Sequence, residues 1–211
     1  MTEFPVSTRV HRRLPKEAFY KHLTLTAVLK EKFVTDVERI DMENSLSNRS
    51  LNLDTPSEIQ EILVLCITLT KEDFDGRILE AIAKQNQHKL LFVLVCGEKE
   101  SLALYHNKLY NTSWKNENEI SLTLNGSSLD EIWSSFVEQT ALYEEQAENV
   151  GSLSIDERLA LQEQITKLEK LIAKTEKSAW KEQQPKKKFE IYSKLKEYKR
   201  ELEKLKFLHN E

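Results

Sequence analysis

Residues 59–70 read Ile59-Gln60-Glu61-Ile62-Leu63-Val64-Leu65-Cys66-Ile67-Thr68-Leu69-Thr70. In an extended chain successive side chains point to opposite faces, so Ile62, Val64, Cys66 and Thr68 line one face and Leu63, Leu65, Ile67 and Leu69 the other. Both rows are largely apolar. Such a segment has to be covered on both sides, which predicts a central strand. A second apolar run at 90–96 predicts another buried strand. Between the two, residues 72–85 place Phe74, Ile78, Leu79, Ile82 and Ala83 on one helical stripe, with Asn86 as terminator.

Downstream, residues 97–101 read as a hairpin loop into a strand over 102–106, followed by a further strand at 119–124. Asn125-Gly126 turns the chain, and Ser128-Leu129-Asp130-Glu131 reads as a capping box opening a helix with Ile132, Trp133, Phe136, Val137 and Thr140 inward. Upstream, residues 9–22 predict a short helix with Pro15 in its first turn and Phe19, Tyr20 and Leu23 at helical spacing. Thr26 caps a second helix that carries Val28, Leu29, Phe33 and Val37 and ends near Asp36. Residues 37–42 and 51–53 are weaker strand candidates, separated by the polar run Ser47 to Ser50. Strands interleaved with helices around an antiparallel hairpin predict an α+β domain with a mixed, mostly antiparallel sheet and flanking helices, over residues 1–150.

From Ser154 the periodicity changes. A second capping box, Ser154-Ile155-Asp156-Glu157, opens a heptad in which Leu161, Ile165, Leu168 and Ile172 step by four, three and four. After a polar break at Gln183-Gln184-Pro185, the residues Ile191, Leu195, Tyr198, Leu202 and Leu205 resume the rhythm. Pro185 interrupts a continuous helix, so residues 151–211 predict an antiparallel helical hairpin, or coiled coil, appended to the domain. Tyr192, Phe207 and Leu208 fall off its apolar seam.

The formal charge of −4 over 211 residues conceals a division. Residues 151–211 hold 15 Lys+Arg against 11 Asp+Glu, a net of +4, whereas 1–150 hold 16 against 24, a net of −8. Any footprint for an anionic partner is therefore confined to the N-terminal basic segment (Arg9, His11, Arg12, Arg13, Lys16), which reads equally as a solvated stretch, or to the hairpin. Between Lys174 and Lys188 six lysines (Lys174, Lys177, Lys181, Lys186, Lys187, Lys188) accompany two glutamates and Trp180. A basic tip with an aromatic suits either a nucleic-acid backbone or an acidic protein surface.

Motifs for chemistry are sparse. The five histidines are scattered with no pair at metal-ligand spacing, so neither a metal site nor a cofactor is expected. The four glycines stand apart, which excludes a glycine-rich phosphate loop. Cys66 and Cys96 lie in apolar runs and read as small buried hydrophobes. The one catalytic arrangement worth testing is a divalent-metal nuclease with an irregular motif, drawing on Asp41, Glu58 or Glu61 with Lys71 at the end of the same run. Its Glu-x-Lys signature is broken, since Gln60 and Leu63 stand two positions after the two glutamates. With no apolar run long enough to span a bilayer and no basic-then-apolar leader, the expected residence is cytoplasmic, away from membranes.

Several strings, in order, resemble an uncharacterised prokaryotic family, domain of unknown function 4391. They are Leu14-Pro15-Lys16 with Phe19-Tyr20, Lys32-Phe33-Val34 with Asp36 and Ile40, Glu61-Ile62, Leu90 to Leu94, Gly126 with Leu129-Asp130, and Lys181 to Glu190 running into Leu195-Lys196. The chain departs from the family look at Asn86-Gln87-His88, where a proline is usual, and at Thr70, where a lysine is usual. The resemblance implies no particular activity. It implies companionship with DNA methyltransferases and helicases in defence or restriction-modification loci. The function expected is thus a non-enzymatic accessory or adaptor subunit that binds a larger helicase, methyltransferase or nuclease partner through the hairpin. The alternatives are the irregular nuclease and a direct DNA- or RNA-binding module.

Overall fold

The computed structural model of the chain describes residues 4–117, 119–142 and 153–209, with the side chains of all but 20, 21 and 207–209. The chain divides into two compact units, Met1–Tyr143 and Glu144–Glu211. The domain boundary expected at Gly151 and the side chains of the off-seam residues Phe207 and Leu208 lie outside what is described.

The first unit is built on a sheet whose strands follow chain order: β1 (Arg9–Arg13), β2 (Val37–Leu46), β3 (Ile62–Leu69), β4 (Lys89–Cys96), β5 (Lys99–His106) and β6 (Lys108–Asn111), with β7 (Lys115–Asn116) also on β5. All pairs are antiparallel except β3 with β4, which are parallel and joined through helix α4 (Arg77–Lys84). The apolar run 62–69 is the central strand that its two apolar faces demanded. Leu65, Ile67 and Leu69 of β3 and Leu90, Phe92 and Leu94 of β4 face one side. There they pack with Ile78, Leu79 and Ile82 of α4 and with Phe33 and Val37 at the end of α2 (Ala27–Asp36). Phe33 is fully buried and lies 6.0 Å from the ring of Phe19 on helix α1 (Lys16–His22). Helix α5 (Leu129–Ala141) packs on β5 and β6. Its Trp133 ring lies 5.5 Å from Nζ of Lys89, and Phe136 meets Phe4 edge-on at 6.0 Å.

The expectation for 9–22 needs correction. Residues Arg9–Arg13 form an edge strand with all five residues exposed and a bulge near His11 (φ 45°), and only Lys16–His22 is helical, with Pro15 as its N-cap. An exposed edge strand leaves no burial periodicity in its sequence. Residues 51–53 are not a strand either. Asn48–Leu51 form a short helix, α3, capped by Ser47 and closed by Asn52 in the left-handed conformation. Among the described residues the segment 119–124 has no strand neighbour, and the Gln139 amide pairs with the backbone of its Thr123. It accepts from Thr123 N–H at 2.8 Å and donates to Thr123 O at 2.9 Å. The β4–β5 loop shortens to Gly97-Glu98, made possible by Gly97 at φ 60°.

The second unit is a hairpin of α6 (Ile155–Lys181) and α7 (Pro185–His209), packed on each other and joined by residues 182–184. Ser154 and Glu157 form the expected reciprocal capping box. Leu168, Ile172 and Leu195 are buried in the seam with Tyr198, Leu202 and Leu205 against them. Lys206 reaches Glu169 at 2.7 Å and Lys199 reaches Glu176 at 2.8 Å, fixing the register of the two arms.

Candidate functional site

The three carboxylates considered for metal chemistry do not meet. Asp41 sits on β2 opposite Cys66 and is engaged by Nε of Arg39. Glu61 precedes β3, where Ser45 Oγ donates to it and His88 Nδ1 lies 3.5 Å away. The five residues from Glu61 to Cys66 separate the two carboxylate positions by roughly 16 Å along the strand. Glu58 lies before the strand, where its backbone N–H and that of Ile59 donate to the two oxygens of Asp130 at 2.9 and 3.0 Å. That contact ties the approach to β3 onto the first turn of α5. Lys71 is occupied as well, 2.9 Å from Asp36. Burial would raise the Asp36 pKa, but Lys71 and the Thr35 hydroxyl outweigh it and hold the group ionised below the usual range. Among the described residues no group of three His, Cys, Asp or Glu is placed to hold a metal ion.

Cys66 and Cys96 are both free thiols. The Cys66 thiol is pushed up to about 11, first by burial and then by the charges of Glu43, Asp41 and Glu100. A thiol so protonated is a poor nucleophile.

The N-terminal basic segment also divides. Lys16 turns inward along the end of α2, its Nζ donating to Val37 O and lying 3.5 Å from Val34 O. It caps the carbonyls that helix α2 leaves unsatisfied, a structural task. Arg12 and Arg13 stay on the exposed edge strand, opposite Met42 and Asp41.

The closed end of the hairpin gathers the remaining candidates. Lys181 ends α6, Lys186, Lys187 and Lys188 open α7, and Trp180 stands 83% exposed in the last turn of α6. Two aromatics join them: Phe189 is 74% exposed and Tyr192 47%. Phe189 and Tyr192 are three residues apart, so they share one face of α7. A large apolar ring held this far into water gains little for the fold, and aromatic side chains are typical anchors of interfaces. Phe189 is the residue that reading the sequence misses. The available signal is its position two residues before Ile191, off the heptad seam.

No curated protein and no solved structure matches the chain. The protein-family model described as Domain of unknown function (DUF4391) matches residues 3–202. With nearly the whole chain covered, the protein belongs to the DUF4391 family.

Proposed function

We propose that this protein is a non-enzymatic accessory subunit that docks on a larger protein through the closed end of its helical hairpin. The observation carrying the proposal is the pair Phe189 and Tyr192, exposed on one face of α7 beside Lys186, Lys187 and Lys188. An aromatic pair flanked on the same helix by Lys186 on one side and Lys188 on the other matches a partner surface with an apolar pocket and an acidic rim. The partner class suggested by the family resemblance is a DNA-processing enzyme, a helicase, methyltransferase or nuclease, in a defence or restriction-modification assembly. Asp41 and Glu61 are each held by their own neighbours and stand roughly 16 Å apart along the strand, which weighs against the irregular nuclease.

Co-expression with the products of adjacent helicase or methyltransferase genes, followed by affinity capture and size-exclusion chromatography, tests the proposal. A stable complex is expected for the native chain, and the double variant Phe189→Ala/Tyr192→Ala should weaken it at least tenfold, the loss typical of two anchor residues. Elution of the native chain alone, with every such partner present, overturns it.

A further inference from the structure

The outward face of α6 carries Lys170, Lys174, Lys177 and Lys181. At about 100° per residue, their mean direction lies opposite the seam formed by Ile165, Leu168, Ile172 and Ala179. Their Cα atoms climb the helix in steps of about 6, 4.5 and 6 Å, a row about 17 Å long. Between them the small side chains Ala173 and Ser178 leave an open concavity of about 430 Å³ lined by these six residues.

Among the described residues, the charge of this row is not cancelled by its neighbours. The glutamates of α6 are committed elsewhere: Glu163 to Lys167 at 2.9 Å, Glu169 to Lys206 at 2.7 Å and Glu176 to Lys199 at 2.8 Å. Glu182, just beyond the helix, accepts from the Gln184 backbone N–H at 2.9 Å. The nearby hydroxyls are spent on the helix itself, Thr175 donating to Leu171 O and Ser178 to Lys174 O. The row therefore presents ammonium donors, and its ligand must bring the acceptors. Regular spacing along one line fits a chain of repeated negative charges better than a single anion. Trp180, three residues after Lys177, flanks the row with its ring in solvent. A flat ring beside a line of lysines is the arrangement that stacks an unpaired base while the lysines follow the phosphates.

We propose that the outward face of α6 binds single-stranded nucleic acid, with Lys170, Lys174, Lys177 and Lys181 on successive phosphates and Trp180 under an unstacked base. The surface is distinct from the α7 anchors Phe189 and Tyr192, so the hairpin can hold a protein on one helix and a strand on the other. The inference does not rest on the docking proposal.

Fluorescence anisotropy of the full chain with a labelled oligothymidylate of about 20 nucleotides, titrated at several salt concentrations, tests it. Saturable binding is expected. Changing all four lysines to Gln should lower the slope of log K against log salt by about 3, at about 0.7 for each phosphate that is no longer neutralised. Trp180→Ala should weaken binding about tenfold with the slope unchanged. Far-UV circular dichroism checks that these exposed substitutions leave the helices intact, and Phe189→Ala/Tyr192→Ala should bind the oligonucleotide as the native chain does. The proposal fails if the native chain does not bind at low salt, if the four-lysine variant keeps native affinity and slope, or if a duplex of the same length binds more tightly. Loss of a co-purifying acidic protein from the four-lysine variant, without oligonucleotide binding by the native chain, would assign the row to protein instead.

Discussion

Asp75 shows how much a single carboxylate contributes at the surface of this fold. Arg77 Nε donates to its Oδ1 at 2.9 Å, and Lys32 Nζ donates to its Oδ2 at 2.8 Å, so one side chain joins α2 to the start of α4. These donors, Arg77 first, hold its pKa far below the ordinary carboxylate range. A group depressed in this way stabilises the fold above about pH 4 and loses that contribution as the pH falls further. Asp75→Asn should therefore lower stability by about 1 kcal/mol at pH 7, with solvent screening of the two exposed cations keeping the effect small. Urea unfolding at pH 7 and pH 2.5 checks it, since the difference between variant and native should shrink in acid. Cys66 offers a second single-residue test. With its thiol raised from 9.0 to about 11, its alkylation by iodoacetamide at neutral pH should be about a hundredfold slower than in the urea-unfolded chain. Equal rates would mean that the thiol is neither buried nor surrounded by charge.

Among the elements, those with the most burial were the most legible. The runs at 62–69 and 89–96 and the stripe on α4 follow from apolar periodicity, and the hairpin follows from two heptads separated by Pro185. What escaped were elements held by something other than burial. Strand β1 is fully exposed, and its Val10 alone gives no alternation to read. The Gln139-bonded segment depends on an amide 16 residues away. The hairpin lysines were legible as a cluster. Whether Glu169 is left to neutralise them depends on its meeting Lys206 across 37 positions of chain, a register that no local pattern reveals. The helix starts are sharper tests. Ser154 accepts from the Glu157 N–H and Glu157 returns a carboxylate to the Ser154 N–H, so Ser154→Ala should cost about 1 kcal/mol and speed amide exchange in the first turn of α6. At the start of α5, Gly126 stands at φ 138°, and an added Cβ would fall 2.8 Å from Ile132 N. Gly126→Ala should then destabilise the body by more than about 1 kcal/mol in urea unfolding, with Gly126→Ser no better.

At the scale of the whole molecule, the division of charge acquires a structural address. The acidic body lacks a convergent carboxylate site among its described residues, and the basic hairpin carries two unlike outward surfaces, aromatic anchors on α7 and an uncompensated lysine row on α6. On the function proposed above, the hairpin would report both to an enzyme and to the strand that enzyme works on. The sheet of the body also meets water at an edge, and β1 forms it. A free strand edge is a template on which another chain can add itself. Here the template is spoiled twice, by Arg9, Arg12 and Arg13 and by the bulge at His11. Replacing Arg12 and Arg13 with Val should therefore leave the melting temperature nearly unchanged yet make light scattering rise with protein concentration. These two arginines would then serve the colloidal lifetime of the protein in a crowded cell.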